Sequence, residues 1–344
     1  MDATLQYVPI LIVGFAISLG FTPVSRQIAM RLGVVDKPNE ARKTHKENKP
    51  MMGGLAIYVA LTLSVFLFSP PQHLRELIVI VGGAGLLALV GLVDDRYHLS
   101  WRVRFGLQFL AAGVLVLSGI QINLFGIALI DIPITLLWVV ALTNATNFLD
   151  NMDGLTAGLS AIAAGWFLLI AIIQGQILVS MLAAAILGSA IGFLAYNFAP
   201  SNTFMGDMGA LPLGFLLATL AIKMTFSGQP LNVTWMIPLL VIALPIFDIN
   251  LVVWTRLREG RSPTQAGRDH TSHRIQSVGF NARQTLFILY GMCMLFGGIG
   301  FLISVVPSDI GLQIGVFSLS VLCLLWLSMW WIRARFQKPN AIGE

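Results

Sequence analysis

Charged side chains are scarce in this sequence. Asp, Glu, Lys and Arg make up only 11% of its 344 residues, whereas 56% are apolar. Soluble domains carry about 25% charged residues, so this composition excludes an ordinary soluble domain and favours an integral membrane protein. There are only two cysteines, Cys293 and Cys323, and both lie within apolar runs. We expect packing roles for them and no disulfide framework.

Apolar runs fill most of the chain. A crossing of the bilayer needs about 17–25 predominantly apolar residues. Eleven runs meet this criterion: 7–28, 51–69, 76–93, 104–121, 130–148, 155–173, 177–198, 210–226, 233–255, 284–306 and 312–332. The connections are short, and no internal repeat stands out. The sequence predicts an all-α, polytopic membrane protein of about eleven helices, forming a single domain over residues 1–344.

Positive charge is concentrated in alternate connections. With the N-terminus outside, alternation places nineteen of the twenty-one Lys and Arg residues inside, leaving Arg75 and Lys223 outside. This asymmetry predicts an outer N-terminus and a cytoplasmic C-terminus. Asp2 precedes the first cation, Arg26, which argues against a cleavable signal peptide. The basic balance thus indicates topology and anionic lipid rather than nucleic acid. Tryptophans near the run ends are expected to lie in the membrane interface: Trp101, Trp235, Trp254, Trp330 and Trp331.

One polar stretch interrupts the apolar pattern. Residues 144–158, NATNFLDNMDGLTAG, place Asn144, Asn147, Asp150 and Asp153 at intervals of three between two apolar runs. If the helix continues, the last three share one face. An ionised carboxylate in hydrocarbon costs several kcal/mol, so this row predicts an oxygen-rich site at the membrane surface. The alternative is that the acids only cap the next helix.

Further acids lie at the ends of other runs. Asp94 and Asp95 end the third run. Their mutual repulsion, roughly 3 kcal/mol at about 5 Å, would be relieved by a cation, either Arg96 or a metal. Asp207 follows Gly206 at the start of the eighth run. This glycine turn could present backbone N–H groups to phosphate, although an N-capping aspartate explains it as well.

Two basic segments could bind an anionic ligand. Residues 33–54, GVVDKPNEARKTHKENKPMMGG, supply Lys43, His45, Lys46 and Lys49, and the spacing does not show which of them contacts the ligand. The alternative is an ordinary positive-inside loop. Residues 256–283 supply Arg268, His270, His273 and Arg274, which could hold a pyrophosphate through charged hydrogen bonds. Zinc is disfavoured because a third histidine or a thiolate is missing nearby. Asp248, near Pro245, is predicted to be a buried, hydrogen-bonded acid.

Alternation places five carboxylates at cytoplasmic helix ends, namely Asp94, Asp95, Asp150, Asp153 and Asp207. Oxygen ligands favour Mg²⁺, with Mn²⁺ as an alternative. Carboxylates, a hard cation and basic loops together predict a nucleoside-diphosphate site. Because the site lies at the bilayer surface, we expect the second substrate to be a lipid.

At this point the chain resembles a known family. In order, KTHKENKPMMGG, VDD, NATNFLDNMDGL, FMGDMG and RDHTSHR are similar to motifs of the polyprenyl-phosphate N-acetylhexosamine-1-phosphate transferases. They look closer to the bacterial undecaprenyl-phosphate N-acetylglucosamine-1-phosphate transferases than to the MurNAc-pentapeptide translocases. The resemblance covers about residues 20–290. It implies Mg²⁺-dependent transfer of a sugar 1-phosphate from a UDP-N-acetylhexosamine to undecaprenyl phosphate, releasing UMP, as the first membrane step of a cell-envelope glycan pathway. The place implied is the bacterial inner membrane, and a homodimer is left open.

The resemblance also implies residue roles. Asp207 is implied as the metal ligand, with Asn147 as a second ligand. The implied catalytic residues are Asp94 and Asp95 nearest the lipid phosphate, Asp150, Asp153, and the clamp residues His270, His273 and Arg274. The implied nucleotide-contacting positions are Asp150, Asn197 and Phe204. Lys43 and His45, from the basic segment 33–54, are added to them as candidate ligand contacts. Three residues depart from the family pattern: Asn151, Ala210 and Ser272 stand where Gly, Ser and a middle histidine are usual.

Two other classes compete with this interpretation. A secondary transporter would place its carboxylates near the midplane on broken helices, whereas these acids lie at one face. A CDP-alcohol phosphotransferase is also Mg²⁺-dependent and membrane-bound, but its acids lie in one compact helical motif. Here the acids are spread over three loops, which favours the sugar-phosphate transferase.

Overall fold

The computed structural model describes residues 5–36, 49–265 and 267–337, and these are almost entirely helical. Helices follow from the apolar sequence, because backbone N–H and C=O groups in hydrocarbon need internal partners. The predicted class, an all-α polytopic membrane protein, is confirmed. The chain divides into two compact units, Met1–Gly228 and Gln229–Glu344. The single-domain assignment stays a prediction.

In the described part of the first unit there are eight α-helices. They are α1 (Val8–Leu32), α2 (Gly53–Phe68), α3 (Leu74–Tyr97), α4 (Trp101–Leu117), α5 (Ala128–Leu149), α6 (Leu155–Ile173), α7 (Ile177–Asn197) and α8 (Asp207–Lys223). Before α2, a short antiparallel pair joins β1 (Val35–Asp36) to β2 (Lys49–Pro50). Helix α7 packs against α1, α2 and α6, while α8 packs against α3 and α5.

Small residues bring the helices of the first unit close together. A Cβ atom at Gly188 on α7 would overlap the backbone of Leu11 on α1. Such contacts let helix backbones approach closely where apolar burial supplies little driving force. At the other end of α8, Lys223 Nζ lies 2.6 Å from Glu76 Oε2 on α3. The end of α8 therefore meets the start of α3.

The second unit contains α9 (Leu231–Thr234), α10 (Met236–Val241), α11 (Ala243–Arg258), α12 (Thr271–Ser277), α13 (Ala282–Val305) and α14 (Ser308–Phe336). The ninth apolar run does not form one straight helix, because the chain bends by 78° at Ile242. Pro245 lies in the first turn of α11 and has no N–H to donate to Val241, which favours a break there.

The apolar helices differ in whether their own length suffices to cross a membrane. All eleven apolar runs are helical in the structure. Within the described part of the chain, seven helices are long and apolar enough to cross a membrane, or eight if the bent pair counts as one span. Helices α2, α4 and α8 have 16, 17 and 17 residues. The count of eleven stays a prediction.

Both cysteines are free, but they occupy different surroundings. Cys293 is buried between helices, as predicted, whereas Cys323 is exposed on α14. The packing role predicted for Cys323 is wrong because α14 has one side covered by protein and presents the other outward.

Candidate active site

The acids of the first unit meet where several helices begin or end. Asp94 and Asp95 lie in the last turn of α3, Asn147 lies in the last turn of α5, and Asp207 is the first residue of α8. Asp150 directly follows α5. Helix ends allow charged groups to remain outside the apolar layer while the helix bodies are buried. The structure therefore brings together acids from three separate segments.

Asp207 lies at the centre of this cluster. Its Oδ1 accepts a hydrogen bond of 2.7 Å from Asn147 Nδ2. Its Oδ2 lies 3.5 Å from Arg104 Nη1, and the same nitrogen lies 2.7 Å from Asp94 Oδ2. One guanidinium thus pairs with two carboxylates, and the group keeps a net negative charge. Asp94 Oδ1 also accepts from the backbone N–H of Leu99, at 2.6 Å.

Arg104 is the residue that the sequence analysis missed. The cation expected beside Asp94 and Asp95 was Arg96 or a metal, but the structure places Arg104 there. Arg104 lies in the first turn of α4, ten residues after Asp94. It belongs to the group of cations at residues 96–104 that the positive-inside rule already explained. One feature of the sequence could have indicated Arg104: it lies near the start of the next helix, only one short loop after Asp94 and Asp95.

Asp95 caps α8 from another helix. Its Oδ1 and Oδ2 accept from the backbone N–H groups of Asp207 and Met208, at 3.1 and 3.3 Å. An acid at a helix N-terminus satisfies donors that have no partner inside the helix. Gly206 has φ of 70°, and a Cβ there would meet the Asp95 carboxylate and the Met51 carbonyl oxygen. The glycine turn is thus filled by Asp95, and Asp207 does not cap its own helix.

The row of polar residues on α5 does not continue along one helical face. Helix α5 ends at Leu149, and α6 begins at Leu155 after a turn. Asn144 instead pairs with Gln108 of α4, at 2.6 Å from its Nδ2 to Gln108 Oε1. The capping alternative does not describe the start of α6 either, since the N-cap of that helix is Gly154 and not one of the two acids.

Asp150 is partly exposed, but most of its side chain is covered by protein. Burial, followed by the negative charge of Asp207, raises the pKa of Asp150 to about 7. A carboxyl group with this pKa exchanges a proton readily near neutral pH. A cation beside it would lower the pKa again.

Asp153 anchors the loop between α7 and α8. Its two oxygens accept from the Ser201 hydroxyl at 2.8 Å and from the Ser201 backbone N–H at 2.9 Å. Lys49 Nζ is 3.8 Å from Asp153 and 4.9 Å from the centre of the Phe204 ring. Lys49, Asp153, Ser201 and Phe204 therefore form one small cluster.

Asn197 connects two loops from a buried position. Its Oδ1 accepts from the Gly154 N–H at 3.0 Å, and its Nδ2 donates to the Thr203 carbonyl at 3.0 Å. The same loop pairs with the start of α2, where the N–H groups of Gly53 and Gly54 donate to Phe204 and Met205. In this arrangement the Asn197 side chain holds the backbone of Gly154 and Thr203 in place. Its contact with a nucleotide stays a prediction. Lys43, His45 and Lys46 lie outside the described residues.

In the second unit, His270 is held by a buried acid. Its Nδ1 is 2.8 Å from Asp248 Oδ2, while the backbone N–H and hydroxyl of Thr271 donate to Asp248 Oδ1. Asp248 is the buried, hydrogen-bonded acid that the sequence indicated. This contact fixes the orientation of the imidazole ring and the start of α12.

Arg274 does not have the setting expected of a pyrophosphate clamp. Its side chain is fully buried, and its three nitrogens donate to the Asp269 carbonyl, the Met329 carbonyl and the Thr255 hydroxyl. Every part of the guanidinium is thus engaged by protein. In this conformation Arg274 ties the loop to α11 and α14, which does not support a direct contact with substrate.

Asp269 lies at the centre of a set of arginines. Arg256, Arg261 and Arg333 approach its carboxylate to 3.0, 2.7 and 2.9 Å. Burial by itself raises the pKa of Asp269, but hydrogen bonds from Arg261 and Arg256 outweigh this and hold the pKa well below its usual range. The acid is therefore ionised throughout the neutral range and fixes the loop that carries the histidines.

His273 differs from His270 and Arg274 in its hydrogen bonding. Among the described residues, no hydrogen-bond partner reaches its buried Nδ1 atom. Burial, together with the neighbouring His270, lowers the pKa of His273 to about 4, so the ring is neutral at pH 7. A nearby anionic ligand would stabilise the protonated ring.

The cluster of the first unit suits a hard cation in charge and ligand type. Among the described residues, Asp94, Asp95, Asp150 and Asp207 outnumber the one arginine paired with them, Arg104. The Asp207 carboxylate retains lone pairs beyond its bond to Asn147. Within the described residues, no three His, Cys, Asp or Glu side chains form a metal-binding group. Mg²⁺ is often bound by one or two carboxylates, with waters and substrate phosphates completing the shell. The residues present therefore fit Mg²⁺ without forming an all-protein cage.

Comparisons with known proteins match this chain to one family. The model of glycosyl transferase family 4 matches residues 77–225. A Bacillus subtilis protein named "Probable undecaprenyl-phosphate N-acetylglucosaminyl 1-phosphate transferase" is 31% identical, covering 83% of each chain. An undecaprenyl-phosphate alpha-N-acetylglucosaminyl 1-phosphate transferase of Yersinia pestis is 28% identical over 83% of this chain and 81% of its own. A decaprenyl-phosphate N-acetylglucosaminephosphotransferase of Mycolicibacterium smegmatis is 31% identical over 77% of this chain and 74% of its own. The chain belongs to this family of membrane-bound polyprenyl-phosphate N-acetylhexosamine-1-phosphate transferases.

Proposed function

We propose that this enzyme transfers N-acetylglucosamine 1-phosphate from UDP-N-acetylglucosamine to undecaprenyl phosphate and releases UMP. The names of its relatives support the sugar and the polyprenyl acceptor. The observation that carries the proposal is the cluster of Asp94, Asp95 and Asp207 around Arg104 at the ends of membrane helices. Such a site meets a diphosphate from one side and a lipid phosphate from the other.

The reaction is a displacement at phosphorus. An oxygen of the lipid phosphate attacks the β-phosphorus of the donor, a new P–O bond forms, and UMP leaves with the electrons of the bond that breaks. Catalysis of this kind depends mainly on positioning and charge neutralisation. A bound Mg²⁺, held by Asp207 with Asn147, would supply charge neutralisation on the pyrophosphate.

The protein's own groups supply the rest of the chemistry. Arg104 orients Asp94 and is placed to neutralise a phosphate that enters beside it. The second pKa of a phosphate monoester is about 6, so little base catalysis is needed at neutral pH. If the lipid phosphate still carries a proton, we assign its acceptance to Asp94 or Asp95. Asp95 also holds the N-terminus of α8 through its hydrogen bond with the Asp207 N–H.

Contacts to the nucleotide are assigned by the resemblance and by position. Phe204, under Lys49, offers an aromatic face on which a base could stack. Lys43 and His45 remain proposed contacts, as do His270 and His273 for the pyrophosphate. The proposed location is the inner membrane of a bacterium, with the acidic cluster facing the cytoplasm, and the product enters a cell-envelope glycan pathway.

Release of UMP by the purified protein tests the proposal. We expect release from UDP-N-acetylglucosamine only when undecaprenyl phosphate and Mg²⁺ or Mn²⁺ are present. Asp207→Asn should abolish release, whereas Asp309→Asn, the same change at an exposed residue of α14, should leave it unchanged. Full activity in EDTA, or near-normal activity of Asp207→Asn, would contradict the metal assignment.

The sugar is tested with a panel of donors. A site that hydrogen-bonds the acetamido group rejects a plain hexose by orders of magnitude, because its own polar groups are left unpaired. UDP-N-acetylglucosamine should therefore react far faster than UDP-glucose, and UDP-MurNAc-pentapeptide should be inert. Reaction of the pentapeptide donor alone would move the chain to the translocases and leave the reaction class intact.

A further inference from the structure

A single exposed arginine at the end of α11 differs from its basic neighbours. Arg256, Arg261 and Arg333 are all paired with Asp269 or Glu259. Arg258 is exposed, and among the described residues it forms no hydrogen bond or ion pair. An arginine that retains all five N–H donors can bind an anion from outside the protein.

Two tryptophans hold this guanidinium. The Arg258 carbon Cζ lies 5.3 Å from the ring centre of Trp330 on α14 and 5.8 Å from that of Trp254 on α11. Trp254 in turn packs edge-on against Trp326, with ring centres 6.1 Å apart. Cation–π contacts of this kind orient a guanidinium without using its hydrogen-bond donors. The charge is therefore positioned while its donors remain available.

The surface around Arg258 is apolar and outward-facing. Leu257 is 57% exposed and Trp331 is 61% exposed, and the Trp331 ring packs against Phe336. Tryptophan and arginine at the ends of membrane helices lie at the level of the lipid headgroups. A ligand bound at this surface would contact both the Arg258 cation and apolar side chains suited to acyl chains.

We propose that Arg258, Trp254 and Trp330 form a binding site for an anionic phospholipid, with the lipid phosphate diester on the Arg258 guanidinium. The two α11 and α14 indoles flank the headgroup, and the first acyl carbons lie on Leu257 and Trp331. Arginine matches phosphate in a bidentate manner, which a point charge does not. The occupant is a phospholipid of the bilayer, distinct from the polyprenyl phosphate of the reaction.

Native mass spectrometry of the detergent-purified full chain tests this site. The probes are phosphatidylglycerol and, as a zwitterionic comparison, phosphatidylcholine. We expect phosphatidylglycerol to be retained preferentially, and Arg258→Gln to lower that retention about fivefold, as removal of one interfacial cation should. Arg335→Gln, at another exposed arginine near the end of α14, should lower retention clearly less than Arg258→Gln does, because the Arg258 guanidinium is oriented by two indole rings. Arg258→Lys should restore only part of it.

Thermal unfolding of each variant shows whether it is folded, and Trp330→Leu provides a second variant that keeps the charge. Loss of preferential retention in a folded Trp330→Leu protein supports the site. Equal retention of both lipids, an equal loss in Arg335→Gln, or complete displacement of the lipid by inorganic phosphate would overturn the proposal.

Discussion

At the scale of single residues, the site depends on how charge is shared around Arg104. Its Nη1 atom serves both Asp94 and Asp207, so the acids at the ends of two helices are held by one cation. Replacement of a positioned charge of this kind costs roughly a hundredfold in turnover when it stabilises the transition state.

We therefore predict that Arg104→Gln lowers UMP release about a hundredfold, and that Arg104→Lys recovers part of the loss. Arg102→Gln is the matched control, because Arg102 lies on the same helix and contacts the Trp101 ring outside the cluster. Steady-state rates measured over a range of lipid phosphate concentrations check this. Equal rates of UMP release for Arg104→Gln and Arg102→Gln would show that Arg104 has no role in catalysis.

The acids of the site could be predicted from sequence, whereas their partners could not. Asp94, Asp95, Asp150 and Asp207 stand out because charges are expensive beside apolar runs. Arg104 and Arg274 were harder to interpret, since a cytoplasmic cation looks the same in sequence whether it is exposed, paired or buried. Burial of Arg274 is a property of the packing of α12 against α13 and α14, which no local pattern reveals.

At the scale of elements, the start of α8 lies against a glycine of α3. A Cβ at Gly91 would overlap the backbone of Asp207 and Met208. Gly91→Ala should therefore displace the start of α8 and lower turnover about a hundredfold, since a shift of about 1 Å can cost this much. Gly82→Ala, on the same helix with open space around it, should leave turnover unchanged. Turnover and thermal unfolding of both variants decide the point, and a fully active Gly91→Ala would show that α8 tolerates the shift.

The loop that carries His270 and His273 is stabilised by the carboxylate of Asp269. Asp269→Asn leaves three arginines without their common anion, and we expect the free energy of unfolding to fall by about 3 kcal/mol. Because the pKa of Asp269 is lowered in the folded protein, its contribution is present above the ordinary value of about 4 and is lost as the pH falls through the lower native pKa. Thermal unfolding against pH should show an acid-side loss in the parent that Asp269→Asn lacks. Identical profiles would argue against the network.

Sequence predicted where elements lie better than how they bend or meet. Each apolar run is mainly helical, since hydrophobicity and length determine that locally. The bend at Ile242 and the end of α5 before Asp150 were not predicted, because a proline or an aspartate within or beside a run allows either continuation or a break.

At the scale of the whole molecule, contacts within the first unit indicate that its short helices also cross. Helix α4 begins beside Asp94, yet α5 must return to place Asn147 beside Asp207. Helix α8 begins at that cluster and ends at Glu76, at the start of α3. Helix α8 therefore connects the two ends of the 24-residue α3 although it has only 17 residues, and α4, which also has 17 residues, begins at the same end of α3.

This geometry predicts that the connection between α4 and α5 lies on the outer side of the membrane, opposite the acidic cluster. After Cys293 and Cys323 are replaced by serine, Asn123→Cys in that connection should react with a membrane-impermeant thiol reagent added to intact cells. Arg102→Cys, near the acidic cluster, should react only after the membrane is opened. The positive-inside distribution makes the same assignment independently, because the α4–α5 connection contains no Lys or Arg. Labelling of both cysteines from the same side would show that α4 does not cross, and the count of eleven spans would fail with it.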